Sequence, residues 1–164
     1  MELRISPYGW WVRQWWHGMM AAASTVVLVE AGSGLNTATY GQQVVAAVLL
    51  AEARGEGEIG MVAVAEVIRR RADARGVTML AVLKAGAFSS LNGTSPDRLV
   101  RRFHRHTLWP EALAIARRAY NEPATLENLT RGADHFTHKG ERPWWSTGLQ
   151  PVVTIGNHAF YRLN

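Results

Sequence analysis

The chain has 164 residues, 48% of them hydrophobic and 19% charged, and no cysteine. That is enough for one domain with a real core, too apolar for a disordered chain, and without thiols for disulfides or thiolate–metal sites. A net charge of +5 and a pI near 10.2 point to an anionic partner: nucleic acid, an acidic membrane surface and the anionic bacterial wall all qualify.

Arg4 and Arg13 precede an apolar, small-residue stretch over Gly18 to Val29, and Val29-Glu30-Ala31 follows. This is the layout of a secretory signal cleaved after Ala31. The stretch is short for a transmembrane helix. An uncleaved membrane anchor is the alternative, with Trp10, Trp11, Trp15 and Trp16 beside Arg13 at the interface, and a core-packing N-terminal helix is a third reading. Loss of residues 1–31 removes two arginines and two glutamates, so residues 32–164, the expected exported domain, keep the charge of +5.

Residues Gln42 to Ala53 read as a helix, apolar on every side from Val44 to Ala51 and therefore buried, with Gly55 and Gly57 ending it. A second helix is predicted from Glu58 to Ala74, stopped by Gly76, with Glu66 and Arg70 spaced to pair across one turn. Thr78 caps a short helix through Lys84, and Gly86 to Thr94 is a loop. Ser95-Pro96-Asp97 starts a helix that carries basic residues to Arg105, and Pro110 opens another that ends near Asn121. The runs Arg69–Arg71 and Arg101 to Arg105 read as solvated helix faces. Ala133 to Thr137, Val152 to Ile155 and Ala159 to Tyr161 read as short strands. Helices first and a small sheet late give an α+β fold, mostly helical.

Glu52 stands out. It lies at the end of the buried helix, one turn beyond Val48 and two beyond Val45, and so projects from an apolar face. Desolvation and the negative end of the helix macrodipole both favour its protonated form there. A protonated carboxyl is what glycosidic cleavage requires, because the leaving oxygen must receive a proton. The competing reading is a glutamate at a helix end that reaches solvent or pairs with Arg54.

The segment Glu52-Ala53-Arg54-Gly55-Glu56, with Gly60 and Val62-Ala63-Val64-Ala65, resembles the cell-wall hydrolase family typified by the spore cortex-lytic enzyme SleB. Phe88-Ser89 after a glycine, Gly132-Ala133-Asp134-His135-Phe136 and Ile155-Gly156-Asn157-His158-Ala159-Phe160-Tyr161-Arg162 follow in the family's order. The resemblance spans roughly residues 43–162. It implies a lysozyme-like fold shared with lytic transglycosylases, Glu52 as the catalytic acid, and cleavage of peptidoglycan between N-acetylmuramic acid and N-acetylglucosamine. Where the family leads one to expect an Asn-Arg pair late in the second helix, this chain has Arg69-Arg70.

A single glutamate suffices for the lytic route, whereas hydrolysis needs a second carboxylate. Glu56 is the nearest in sequence, and its alternative role is to satisfy backbone amides at the start of the second helix. Ser89, His135, Asn157 and Tyr161 are the polar groups expected to line a groove, and Trp145, beside Trp144, could stack on a sugar. No metal and no cofactor are expected: His135 and His138 would point to opposite faces of a strand, and His104 and His106 would diverge at a helix end. A zinc-dependent wall amidase or peptidase is the first alternative, and a non-catalytic peptidoglycan-binding module the second. Nucleic acid is not an expected partner, since aromatic and basic residues are not interleaved. A monomer is expected.

Overall fold

Thr39 sets the start of helix α1, Tyr40–Ala53. Its hydroxyl accepts the Gln42 amide at 3.3 Å while Gln42 Oε1 accepts the Thr39 amide at 2.9 Å, a reciprocal cap that begins the helix two residues earlier than its apolar pattern suggests. The structure, a computed structural model, describes residues 37–85 and 88–163. The expected leader or anchor over 1–31 and Gly86 of the following loop lie outside them.

Every residue from Val44 to Leu50 is completely buried, as the unbroken apolar run predicts, each large side chain contributing about 1.5–3 kcal/mol. Around α1 pack α2 (Gly57–Arg75), α3 (Met79–Lys84), α4 (Pro96–Phe103) and α5 (Trp109–Asn121). Thr78 and Ser95 cap α3 and α4 with their hydroxyls, and Pro110 sits in the first turn of α5. Strands β1 (His135–His138), β2 (Val153–Ile155) and β3 (His158–Tyr161) form an antiparallel sheet in the order β1-β3-β2. The architecture is α+β, helices before a late three-stranded sheet.

Helix α2 joins the two layers. Met61, Val64, Ala65 and Ile68 enter the helical core, whereas Ala63 and Val67, one turn apart, meet Ala133 and Phe160 beneath the sheet. The same stripe continues to Arg71. Arg71 is therefore buried rather than solvated: its Nε donates to the Asp134 carbonyl and its guanidinium lies 5.2 Å from the centre of the Phe88 ring. Arg70 is exposed, and so is the 101–105 run apart from buried Phe103.

The expected Glu66–Arg70 pair does not form. Glu66 turns inward and accepts the amides of Leu129 and Thr130 at 2.8 and 2.9 Å and the Thr130 hydroxyl at 2.7 Å. A carboxylate on the inner face of a doubly covered helix persists only when its oxygens are answered in this way. The pair across one turn is instead Arg69–Asp73, at 2.8 Å, and Arg69 also reaches the Ala119 carbonyl at the end of α5. No helix among the described residues is long and apolar enough to cross a membrane.

Candidate active site

Glu52 occupies the last turn of α1 and is half-buried. Opposite it, residues Ser89–Leu91 form a 3-10 turn, whose first amides find no acceptor within the turn itself. The Ser90 amide donates to Glu52 Oε1 at 3.0 Å. Oε2 has no hydrogen-bond partner among the described residues. Arg54 does not pair with Glu52: its guanidinium turns back onto the Leu50 carbonyl at 3.1 Å, answering the exposed end of the helix.

Two cavities of about 390 and 210 Å³ meet at Glu52, Ser89 and His138 and together form an open cleft. The larger is also lined by Arg54, Glu56 and Ser90. The smaller runs between the helical wall and the sheet wall, past Arg71, Phe136, Thr137 and Glu141, to Pro143 and Trp145.

Glu56 takes a different course from that of an amide-binding residue at the start of α2. Its stem threads between Gly60 and Gly156. A methyl group at Gly60 would stand 2.3 Å from Glu56 Cβ, and one at Gly156 2.4 Å from its Cγ, so both positions must lack a side chain. Gly156 also adopts φ 55°, a conformation costly for other residues. The carboxylate ends 3.9 Å from His158 Nδ1, beyond hydrogen-bond range. The His158 side chain is sealed at 1% exposure between Phe136 and His138, and neither ring nitrogen has a hydrogen-bond partner among the described residues. Burial pushes this imidazole below its ordinary value of 6.5, and the negative charge of Glu56 partly offsets that. Arg71 too is shifted down, by burial and then by Arg75.

Of the residues singled out in the sequence, Glu52, Glu56, Ser89 and Trp145 line the cleft. His135 packs its ring 5.1 Å from that of Trp145 and lies 3.0 Å from Asp134 Oδ1. Tyr161 is buried behind Trp145 in an edge-to-face contact at 5.5 Å, and Asn157 sits on the exposed β2–β3 turn, where its carbonyl accepts the Lys139 amide. Neither Tyr161 nor Asn157 lines either cavity. The sequence did not assign His138, Glu141 or Arg71 to the cleft, which all three line. For Arg71 a signal existed: Ala63, Val67 and Arg71 recur every four residues, marking one inward face. For Glu141 none did, because its place depends on the turn that follows β1.

His104 Nδ1 lies 2.8 Å from the Arg101 carbonyl and His106 Nδ1 accepts the Leu108 amide, while His135 and His138 sit on opposite faces of β1. Among the described residues no three histidine or carboxylate side chains are grouped to hold a metal ion. The cleft thus offers one carboxyl oriented by an amide with its other oxygen unengaged, a cation at the floor and a flat aromatic wall. Such a set can protonate a leaving oxygen in a polymer laid along the cleft.

Comparison with known families matches the cell wall hydrolase family over residues 55–161, about two-thirds of the chain. The matched segment takes in Glu56, β1 and the closing hairpin and begins three residues after Glu52. No curated protein and no solved structure matches.

Proposed function

The chain belongs to the cell wall hydrolase family, and we propose that it cleaves peptidoglycan glycan strands between N-acetylmuramic acid and N-acetylglucosamine with Glu52 as the acid. The observation that carries this reading is the state of Glu52: held through Oε1 by the Ser90 amide, with Oε2 unengaged in an open cleft. Protonated at Oε2, Glu52 gives its proton to the glycosidic oxygen as the C1–O bond breaks, and an oxocarbenium-like sugar develops. The carboxylate left behind then serves as base, toward the muramic acid C6 hydroxyl for a 1,6-anhydro product or toward water for a reducing end. Trp145 supplies a face for a sugar ring, held from behind by Tyr161 and His135. Ser89 contacts the sugar beside Glu52, and Glu56 shares that wall of the cleft, whereas Asn157 stands on the β2–β3 turn outside both cavities. The substrate lies outside the cytoplasm, so the reading includes export by way of residues 1–31, as a cleaved signal or an anchor.

Mass spectrometry of muropeptides released by the purified chain from intact sacculi tests it. Anhydro or reducing glycan ends are expected, with or without a chelator. Release of cleaved peptides that EDTA abolishes would replace this reading by an amidase, and no release at all by a binding module.

A further inference from the structure

We propose that the cavity of about 520 Å³ at the C-terminal end of α2 is a binding site for a phosphate group. The proposal does not depend on the role of Glu52. Three arginines line the cavity from three separate stretches of chain: Arg70 from α2, Arg131 from the loop before β1, and Arg162 from just beyond β3. The carboxylate on the same lining, Asp134, is already engaged. Its Oδ1 accepts the Leu163 amide at 2.9 Å and lies 3.0 Å from His135 Nδ1. The Arg70 and Arg131 guanidinium groups have no partner among the described residues. Positive charge gathered in this way repels itself, and an anion relieves that repulsion.

The loop that carries Arg131 is held in shape. Glu66 grips the Leu129 and Thr130 amides, and on either side Asn128 and Arg131 adopt φ 56° and 50°. That left-handed region is costly for a residue with a side chain, and such strain collects at binding sites. Gly132, at φ 82°, leaves the space that the Arg162 guanidinium occupies: a methyl group there would stand 2.8 Å from Arg162 Nη2. That guanidinium donates to the Arg131 carbonyl, which holds it over the loop with further N–H groups to offer.

The donor set favours phosphate over carboxylate. A guanidinium pairs with either through two parallel N–H···O bonds. A carboxylate, however, offers two oxygens in one plane and a single charge. A phosphate group presents up to three free oxygens in different directions and up to two charges, which suits donors arriving from three segments. The free anion and an anionic lipid headgroup present this same chemistry, and experiment separates the two.

Binding of inorganic phosphate to the full-length chain is measured by calorimetry against chloride of equal ionic strength, for wild type, Arg70→Gln, Arg131→Gln and Glu52→Gln. Arg70 and Arg131 are exposed, so their variants should fold, and melting midpoints in chloride check this. Wild type and Glu52→Gln are expected to bind phosphate saturably. Each arginine variant should bind it at least roughly tenfold more weakly, the loss of one hydrogen bond between charged groups. Sedimentation with phosphatidylglycerol vesicles then identifies the source. Co-sedimentation that free phosphate reverses assigns the site to a lipid headgroup, and saturable phosphate binding without co-sedimentation assigns it to the free anion; either supports the site. Phosphate acting no differently from chloride, or phosphate binding undiminished in both arginine variants, overturns it and returns these arginines to a solvated basic face.

Discussion

Two carboxylates on neighbouring helices meet opposite fates. Glu66, midway along α2, lines a cavity of about 460 Å³ that adjoins a second of about 520 Å³ at Arg70, Ala74 and Asn128, each larger than either of those at Glu52. Yet the carboxylates that line them are answered. Glu66 holds the 129–130 backbone, Asp73 holds Arg69, Asp134 takes the Leu163 amide, and the Arg162 guanidinium donates to the Arg131 carbonyl. At the Glu52 end, Oε2, the buried Ser90 hydroxyl and both nitrogens of His158 lack partners among the described residues. If Glu52 is the acid, as proposed, cavity size alone points to the other end. An unengaged carboxylate oxygen in an open cleft is the better guide, since buried unsatisfied nitrogens by themselves also occur on Arg118 of α5.

The sharpest way to break this contrast is a pair of isosteric substitutions. Glu52→Gln keeps the side-chain shape but cannot deliver a proton. General acid catalysis alone is worth about 10²–10⁴ in rate, and the same group acts later as base, so glycan release should fall by more than that with the melting midpoint nearly unchanged. Glu66→Gln should do the reverse. One oxygen becomes a donor facing amides, which costs about 1–3 kcal/mol in stability and lowers the melting midpoint, while the folded fraction keeps its turnover. A Glu52→Gln protein releasing muropeptides near the wild-type rate would reduce Glu52 to a structural residue, and a Glu66→Gln protein of native stability would mean that the loop is held by other contacts.

How much of this was legible beforehand follows the range of the contacts. The buried α1, the caps at Thr78 and Ser95 and the late strands are written in local periodicity and turn chemistry, and they formed where those signals lie. The place of Glu52 was legible because it is the end of its own helix. The fate of Glu66 was not, since helical spacing offers it an exposed partner and the backbone that answers it lies far along the chain at Leu129 and Thr130. For Arg71 only the four-residue recurrence after Ala63 and Val67 hinted at the face that the sheet closes over. The task of Gly60 and Gly156 could not be read either: ninety-six residues apart, they share one side chain, Glu56. The cleft's far wall depends on how the chain leaves β1, which no short pattern announces.

A smaller effect probes His158. Its folded-state value lies below the 6.5 it has when unfolded, so the unfolded chain binds the proton first. The stability that comes from burying the neutral ring is complete above 6.5 and is lost as pH falls below it toward the folded value. Glu56, Glu52 and Glu141 favour the charged ring and narrow that window, while His138 opposes it. Thermal midpoints measured from above to below 6.5 should therefore fall less steeply for His158→Asn than for wild type, whatever constant cost the smaller side chain adds. Parallel curves would show that the ring titrates alike in the folded and unfolded chain, its value not lowered by burial.

The smallest expected effect concerns the arginine-rich end. Arg70, Arg131 and Arg162 are exposed there, on a chain of net charge +5. Exposed charges attract an anionic wall through solvent, over a Debye length of about 8 Å at physiological salt, and each contributes only about 0–1 kcal/mol. Binding of the full chain to sacculi should weaken as salt rises. Arg70→Ala with Arg131→Ala should weaken it further at low salt, by no more than roughly tenfold, and converge with wild type at high salt. Cleavage of short soluble glycan fragments should not change, since these residues lie outside the cavities at Glu52. If the double substitution instead slows turnover of such fragments, the two ends of α2 are coupled in catalysis, and the division between a holding end and a cutting end fails. If salt leaves wall binding untouched, retention comes from the cleft itself, and the basic end serves only to anchor the loop that Glu66 holds.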